Sequence, residues 1–555
     1  MADFELLPDE LLLLILGQLD PKSLSRVKEW STYWKSFVEC NASELWSSVL
    51  RVWAGVCIDG DLRDVWKSFQ RPDVPEYEES LCLRFHCIYS KFGSTGFRMV
   101  RIFDRLFRWL SSLPQSAPKY HFLPPVQDFP EDQMPPTELR ALYSLTGGQR
   151  APSWLASFLD TNDGGDDVGD VDDDEEGIFG STEIYDCTLS MGLMPWQFHE
   201  KMTGSGRAGT FLLAANFRPE PNESPFQHVQ MCVHANHHLY YNSSAWPRVV
   251  DAVSPDRWFW GLPTVEVPPD MVHHPEIEDV VASLGYTANP VYPLVHWLES
   301  YVEQLESGNY CHRRSHRPDA QLHGDEVLPE GVNERTTLVR FPTQLPNCHS
   351  AVTNGIEIKV AASPQLHLSP RQGTLVWGYE VTMRLLSVQD QAAQVGGNRK
   401  LAELGGPLNH VQLTRRFWRI TSPEELGGQE VEGALSAFDV RLFDNVDRGR
   451  LFCGYRVLLR SLPLLAPRSS RAGPGVVGHR PILQAGKSAF SYCSLTHVDI
   501  QPRQSASQVG ELNWMEGYFT FEEVDVGVAS PKSKPKRVVR ATVPRFHLRF
   551  PDVIL

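Results

Sequence analysis

The sequence carries little positive charge, and this limits the kinds of partner that the protein can have. Its 555 residues include 52 lysines and arginines against 68 aspartates and glutamates, so the formal net charge at pH 7 is −16. A nucleic-acid-binding surface needs clustered Lys and Arg to neutralise phosphates. The composition therefore argues against a nucleic-acid-binding protein. Part of the negative charge lies in residues 160–176, an Asp- and Gly-rich segment that predicts a solvated loop.

Long apolar runs and a cysteine framework are also lacking. The longest aliphatic run, Leu11 to Leu16, is far too short to cross a bilayer. The chain opens with an acidic segment where a secretory signal would be basic, so we expect no export signal. The ten cysteines are scattered along the chain and are therefore predicted to be reduced. These features predict a protein of the cytoplasm, the nucleus or both, with no membrane partner.

Motifs for catalysis and metal binding are missing from the sequence as well. It contains no G-x-S-x-G, H-E-x-x-H or Walker motif. The acidic segment starts like a calcium-binding loop but lacks the glutamate at the twelfth position. The histidines near Cys232 and Cys311 lack the paired spacing of a zinc site, and His234 and His237 are expected to line a half-buried strand. We predict no catalytic residue, no metal site and no cofactor.

A stripe of apolar residues predicts a short helix near the N-terminus. Pro8 suits the start of a helix, and Asp9 and Glu10 suit the positive end of its dipole. Apolar residues then recur at the spacing of one helical face: Leu7, Leu11, Leu14, Ile15 and Leu19.

A second helical segment is predicted directly afterwards. Asp20 is a suitable N-cap, and Pro21 is a suitable first residue of a helix. Two short helices as apolar as these cannot bury all of their surface against each other, so part of it is expected to contact a partner. The second apolar stripe consists of Leu24, Val27, Trp34 and Phe37.

This pattern closely resembles an F-box, the segment by which F-box proteins bind a Skp-type adaptor of a cullin ubiquitin ligase. Lys28 and Trp30 depart from the pattern, because F-boxes usually keep smaller apolar residues there. The alternative is a two-helix cap on the chain's own core. The resemblance covers residues 4–50 and implies an adaptor-binding surface of Leu7, Pro8, Leu11, Ile15, Leu16, Leu19, Leu24 and Trp34.

The middle of the chain predicts a helical linker and a mixed domain. Residues 51–114 carry helical stripes and end in a Pro-rich connector, so they are assigned as a helical linker region. A second domain is predicted over 115–310, followed by a linker over 311–344. Its amphipathic helix ending at glycine, its segment GIFGSTEIY at 177–185 and its closing helix at 297–308 resemble a SUKH (Smi/Knr-type) domain. This resemblance implies an α+β fold.

Residues 345–555 show the period-two alternation of β-strands. Ile356 and Ile358 alternate with charged residues, and similar segments recur between turns. This pattern predicts an all-β sandwich. The apolar phase flips at Arg415-Arg416, which predicts a β-bulge at this point.

Four of these segments resemble parts of an ApaG domain: RFWRIT at 416–421, GVVG at 475–478, FSYCS at 490–494 and MEGYFTF at 515–521. The resemblance implies a fibronectin-type-III-like sandwich. ApaG domains have no counterpart of residues 434–473, so we interpret this segment as an insertion or as a gene-model artefact.

The glycine turn of the ApaG-like segment is formed by Gly475, Val477 and Gly478. Together with Gly473 it matches G-x-G-x-x-G formally, which leaves a phosphate-binding role open. A dinucleotide site needs a helix directly after the glycines. Pro481 and an alternating strand follow here instead, so a tight turn between strands is the favoured interpretation.

The three resemblances point to the F-box-only proteins that combine an F-box, a SUKH domain and an ApaG domain. They imply a multidomain protein that is the non-catalytic substrate-recognition subunit of an SCF-type ubiquitin ligase. Its expected partners are a Skp-type adaptor, a cullin and a RING protein through that adaptor, and target proteins. The alternatives are a ligase-independent scaffold and a sensor of phosphate or divalent ions through the ApaG domain.

Overall fold

The chain divides into two compact units. Unit 1 extends from the N-terminus to Arg340, and unit 2 takes up most of the chain from Phe341 to Phe550. The computed structural model describes residues 7–54, 77–113, 120–129, 134–150, 177–198, 210–217, 229–260, 279–314, 336–365, 374–421, 481–499, 514–524 and 537–548. The description does not include the following residues within these ranges: 185–186, 244–245, 252–257, 280, 285, 288, 290, 340, 344–347 and 404.

Unit 1 begins with a cluster of short helices. They are α1 (Asp9–Leu16), α2 (Pro21–Val27), α3 (Thr32–Cys40), α4 (Ala42–Val49) and a π-helix (Leu50–Ala54). Apolar side chains from each of the four α-helices form a common core: Leu12, Leu16, Leu24, Val27, Trp34, Val38, Leu45 and Trp46 are all buried.

The next helix, α5 (Tyr77–Ser111), turns sharply at Gly93, which has φ 55° and ψ −137°. A Cβ atom at Gly93 would lie only 2.1 Å from the carbonyl oxygen of Thr287. The turn brings the two halves of the helix together, because a Cβ atom on Gly96 would lie 2.8 Å from the carbonyl oxygen of Ile88. Only glycine fits this positive φ and this close approach.

Helix α5 is a packed element of unit 1 and not an exposed connector. It contacts α2, α4, the π-helix, α6 (Thr137–Tyr143) and α7 (Pro293–Glu306). The Cys82 thiol lies 3.5 Å from the carbonyl oxygen of Trp46 in α4. The assignment of residues 51–114 as a linker therefore understates the role of this helix, which supplies the buried side chains Leu81, Phe85, Ile88, Tyr89, Phe97, Met99, Phe103 and Phe107.

The remainder of unit 1 is built on a nine-stranded sheet with the order β7-β6-β5-β4-β3-β2-β1-β9-β8. Neighbours are antiparallel except β1 and β9, which are parallel where Ser181 pairs with Val339. The strands are β1 (Ser181–Ile184), β2 (Cys187–Leu193), β3 (Thr210–Asn216), β4 (Val229–His234), β5 (Leu239–Ser243), β6 (Trp246–Asp251), β7 (Trp258–Trp260), β8 (Cys311–Arg314) and β9 (Thr336–Val339).

The end of unit 1 differs from the sequence-based boundary. Strands β8 and β9 fall within residues 311–344, which the sequence suggests as a linker, yet both belong to the sheet. Two short segments that pair at one edge carry too few residues to show a period in the sequence. The boundary between the units consequently lies at 340–341.

Unit 2 consists of two four-stranded antiparallel sheets with the orders β10-β11-β12-β15 and β14-β13-β16-β17. Tyr379 of the first sheet contacts Trp418 of the second, with ring centroids 5.3 Å apart. Two short helices, α8 (Val388–Val395) and α9 (Asn398–Glu403), follow β12. The strands are β10 (Cys348–Thr353), β11 (Ile356–Pro364), β12 (Thr374–Leu385), β13 (His410–Thr421), β14 (Ile482–Gln484), β15 (Phe490–Asp499), β16 (Trp514–Glu523) and β17 (Val538–His547).

The predicted β-bulge is confirmed in strand β13. Leu413 pairs with Phe521 and Arg415 pairs with Thr520, so Thr414 is the extra residue. Its hydroxyl group donates a hydrogen bond of 3.1 Å to the carbonyl oxygen of Thr520. The extra residue directly precedes Arg415-Arg416, where the sequence predicts the change of phase.

Several sequence predictions lie outside the described residues. They are the glycine turn of Gly475, Val477 and Gly478, the segment 434–473 and the acidic segment 160–176. The assignments of SUKH and ApaG folds stay predictions.

Candidate functional site

Helix α1 is apolar on two opposite faces. Leu12 and Leu16 point into the core of the helical cluster, with 0% and 4% of their surfaces exposed. Leu11, Leu14 and Ile15 point outward and are 46%, 64% and 38% exposed. A helix that buries only one of two apolar faces presents the other to a partner.

The start and end of α1 are fixed by short-range contacts. Pro8 precedes the first turn with φ −55° and ψ 143°, and Asp9 and Glu10 lie in that turn, as the sequence predicts. At the other end, a Cβ atom on Gly17 would lie 2.7 Å from the hydroxyl oxygen of Ser48. Glycine therefore allows the end of α1 to approach α4 closely.

The predicted cap of helix α2 is confirmed. The Asp20 side chain accepts a hydrogen bond of 2.9 Å from the backbone N–H of Ser23, and Pro21 occupies the first turn. Burial raises the pKa of Asp20, but its hydrogen bonds with Ser23 and the nearby His86 lower it, and the net pKa lies below the ordinary value. This cap fixes the turn between α1 and α2.

The second predicted stripe belongs to the core of the cluster. Leu24, Val27, Trp34 and Phe37 are all buried. Beside Trp34 two aromatic side chains reach the surface: Trp30 is 53% exposed and Tyr33 is 38% exposed. Their ring centroids lie 6.1 and 5.3 Å from that of Trp34.

The π-helix adds another apolar residue near the end of α1. The indole N–H of Trp53 donates a hydrogen bond of 3.3 Å to the carbonyl oxygen of Gln18. Val52 is 43% exposed. We define the outward apolar surface of the cluster as Leu11, Leu14, Ile15, Trp30, Tyr33 and Val52.

The structure separates the predicted adaptor-binding residues into three groups. Pro8, Leu11 and Ile15 are exposed, and Leu7 and Leu19 are half-buried. The remaining three are buried and support the surface from within: Leu16, Leu24 and Trp34. The predicted surface contains neither Tyr33 nor Val52, and Trp30 counts there only as a departure from the pattern. Tyr33 lies at helical spacing from Trp30 and Phe37, so this signal was available in the sequence.

The helical cluster is joined to the rest of unit 1 by a polar contact of α5. Nδ1 of His86 lies 2.6 Å from the hydroxyl oxygen of Tyr286. Burial lowers the pKa of His86, the charge of Lys22 adds to this effect, and Asp20 opposes it. Burial, with a contribution from Asp20, raises the pKa of Tyr286 to about 12. Both groups are therefore neutral at pH 7.

Two ion pairs continue the connection along the second half of α5. The buried guanidinium of Arg98 lies 3.1 Å from the carboxylate of Glu299 in α7. Arg105 pairs with Glu306 at the end of the same helix. Helix α5 thus contacts the helical cluster at one end and α7 at the other.

One histidine of the mixed region packs against a buried carboxylate and an aromatic ring. Strand β4 ends at His234, but His237 lies in the following turn with φ 67°, which corrects its predicted place in a strand. Nδ1 of His237 lies 2.8 Å from the buried carboxylate of Glu138. Its ring stacks on Tyr292 with centroids 4.3 Å apart.

Two other kinds of site are not found among the described residues. In this part of the chain, no group of three or more His, Cys, Asp or Glu side chains is arranged to hold a metal ion. None of the helices found there has the length and apolarity needed to span a membrane.

Comparison with known proteins identifies the N-terminal cluster. A family model described as F-box-like matches residues 4–52. These residues therefore form an F-box-like domain, and domains of this kind generally bind Skp-type adaptors. A search of curated proteins gives no match to the chain.

Proposed function

We propose that the chain is the substrate-recognition subunit of an SCF-type ubiquitin ligase. In this proposal the F-box-like domain binds a Skp-type adaptor, and the adaptor connects it to a cullin and a RING protein. The observation that carries the proposal is the second apolar face of α1, where Leu11, Leu14 and Ile15 lie exposed within an F-box-like domain.

The burial of the predicted binding residues supports two different roles for them, direct contact with the adaptor and support of the surface from inside the cluster. Leu11 and Ile15 would contact the adaptor directly, together with Leu14. Leu16 and Trp34 would hold the helices in place from inside the cluster. Covering the exposed part of these side chains would favour the complex in proportion to the apolar area removed from water.

The contribution to ubiquitination would be one of proximity. A target held on the chain meets the charged conjugating enzyme at a high effective concentration, and no bond-making residue is needed in this subunit. The fixed contacts of α5 with Glu299 and Tyr286 favour a defined distance between the adaptor and the sheet of unit 1. SUKH and ApaG identities for the remaining chain, and a cytoplasmic or nuclear location, are part of this proposal.

The proposal is tested by affinity purification from cells with the proteasome blocked. We expect the wild-type chain to capture adaptor, cullin and ubiquitinated proteins, and Leu11→Asp/Ile15→Asp to lose the adaptor and cullin. Deleting residues 1–50 would be a poorer test, because Cys82 of α5 packs against Trp46.

A matched control is Val388→Asp in α8, since Val388 is 39% exposed and Ile15 is 38% exposed. It should capture the same proteins as the wild type. Normal capture of the adaptor by Leu11→Asp/Ile15→Asp would contradict the proposal that the exposed face of α1 binds the adaptor.

A further inference from the structure

The outer face of the β14-β13-β16-β17 sheet carries aromatic side chains that the core does not use. Phe519 and Phe521 of β16 are buried, so Tyr518 and Thr520 point to the opposite face. The half-exposed rings of Phe417 and Tyr518 stack there with centroids 5.0 Å apart and an interplanar angle of 17°. These rings form an apolar platform on an otherwise polar face.

Two arginines lie against aromatic rings of the same face. The guanidinium of Arg540 is 4.8 Å from the ring centroid of Tyr518, and that of Arg545 is 3.9 Å from the ring centroid of Trp514. Stacking holds a guanidinium in place and leaves its N–H edge free to donate two parallel hydrogen bonds. Such an edge fits a carboxylate. Arg545 already donates to Glu516 in this way, and Arg540 presents the same kind of edge to an anion of a partner.

A third arginine lies in the same row as one of these two. Arg415 pairs with Thr520, and Thr520 pairs with Arg540, so the three side chains form one row across β13, β16 and β17. The two arginines are two strand spacings apart, roughly 10 Å. We call Arg415, Phe417, Trp514, Tyr518, Thr520, Arg540 and Arg545 the arginine–aromatic face.

The charges of this face are only partly neutralised. Arg545 pairs with Glu516 at 3.2 Å, and Glu522 lies in the neighbouring row. Arg415 and Arg540 are exposed, and neither has an ion-pair partner among the residues that the structure describes. Within the described part of the chain, two arginines beside an aromatic stack thus lack an ion-pair partner, in a protein with a net charge of −16.

We propose that the arginine–aromatic face binds an extended acidic segment of a partner protein. Carboxylates of the partner would accept hydrogen bonds from Arg415 and Arg540, and an apolar side chain between them would lie on Phe417 and Tyr518. The proposal rests on the proposed function, because the partner would be a protein brought to the ligase.

A single-stranded nucleic acid also uses arginines and aromatic platforms. The net charge of −16 and the carboxylates of Glu516 and Glu522 on the same face oppose a phosphate backbone, whereas a peptide can place its acidic side chains selectively. An acidic peptide is thus the partner that the observations favour.

The test is fluorescence anisotropy with the full-length chain and three labelled probes. The first probe is a short peptide of glutamate and phenylalanine, the second has lysine in place of each glutamate, and the third is oligothymidine. We expect binding of the first alone, weakened roughly tenfold or more in Arg415→Glu/Arg540→Glu because two charge-assisted contacts are replaced by repulsion.

A matched control is Arg399→Glu, since Arg399 in α9 is 95% exposed and lies on another element. It should bind the acidic peptide like the wild type, and Arg415→Lys/Arg540→Lys should bind with intermediate strength. No binding of the acidic peptide, equal weakening in Arg399→Glu, or stronger binding of oligothymidine would overturn the proposal. Adaptor binding by the same variants should equal that of the wild type, which keeps this result separate from a failure of the docking surface.

Discussion

Leucines of helix α1 that lie two positions apart have different physical roles. Leu12 is completely buried, whereas Leu14 is 64% exposed. Burying a leucine completely contributes about 1.5–3 kcal/mol, and the share that belongs to the exposed part of Leu14 is gained only when a partner covers it. Part of the apolar surface of the helix therefore does not stabilise its own fold and remains exposed for a partner.

This difference predicts losses of stability of very different size for the same substitution. Leu12→Ala should lower the free energy of unfolding of unit 1 by roughly 2–5 kcal/mol, since it leaves a cavity in a packed core. Leu14→Ala should change it by less than about 0.5 kcal/mol. Urea unfolding followed by tryptophan fluorescence measures both. Equal effects of the two substitutions would show that the two faces of α1 are assigned wrongly.

Another residue-scale prediction concerns His312 in β8. Burial lowers the pKa of His312 from 6.5 to about 4, and its ring lies 5.5 Å from that of Trp109. Nε2 is also 3.2 Å from the hydroxyl oxygen of Tyr120. The unfolded chain binds the proton at the higher pH, so stability is lost as pH falls from about 6.5 towards 4.

We expect His312→Phe to reduce this pH dependence. Thermal unfolding between pH 7 and pH 4 would show a smaller decrease in Tm for the variant than for the wild type, because one group no longer takes up a proton on unfolding. The exposed His547 provides the control, and His547→Phe should keep the wild-type slope. An unchanged slope in His312→Phe would show that this half-buried histidine does not cause the pH dependence.

At the scale of elements, the sequence predicted those features that depend on residues close together in the chain, such as helix caps and β-bulges. The cap of Asp20 and the start at Pro21 depend on neighbours in sequence, and both are found in the structure. The bulge at Thr414 could be predicted because the apolar phase of a single strand changes directly after it, at Arg415-Arg416. Elements of this kind can be read from a short window of sequence.

Elements that depend on distant contacts could not be predicted in the same way. The turn at Gly93 forms against the carbonyl oxygen of Thr287, and nothing in the helical stripes around it reveals that contact. Asn354 and Gly355, by contrast, form a two-residue hairpin turn with positive φ, and the Asn-Gly pair was a signal that could have been used.

The turn in α5 gives a prediction with a built-in control. Gly93 and Gly308 both have positive φ, but a Cβ atom meets a backbone oxygen only at Gly93 and meets nothing within 4 Å at Gly308. Both alanine variants bear backbone strain of about 1–3 kcal/mol, and Gly93→Ala adds a steric clash. Gly93→Ala should therefore lower Tm clearly more than Gly308→Ala. Similar losses in the two variants would show that the close approach is not a constraint.

For the candidate site as a whole, the sequence predicted the segment but not the direction of its side chains. Helical spacing marks an apolar face without saying whether a partner or the chain's own core covers it. Leu24 and Trp34 are covered by the core, whereas Leu11 and Ile15 are not. Whether an apolar face is covered by the core or left for a partner is decided by how α3 and α4 pack against α1 and α2.

At the scale of the molecule, unit 1 connects the F-box-like domain to a sheet through one bent helix. The polar contacts of α5 with Tyr286, Glu299 and Glu306 lie on one side of that connection, and its contact with Trp46 lies on the other. A subunit that acts by proximity benefits from such fixed geometry, because misplacement of a target lysine lowers its effective concentration at the conjugating enzyme.

The central claim is tested most directly by the equilibrium binding of the purified chain to a purified Skp-type adaptor. Calorimetry should give tight binding for the wild type and for Val388→Asp. For Leu11→Asp/Ile15→Asp we expect a loss of at least roughly a hundredfold, because burying two carboxylates in an apolar interface costs several kcal/mol. Circular dichroism should confirm that this variant remains folded, since both residues are exposed. Wild-type affinity in this folded variant, or no binding by the wild type itself, would contradict the account.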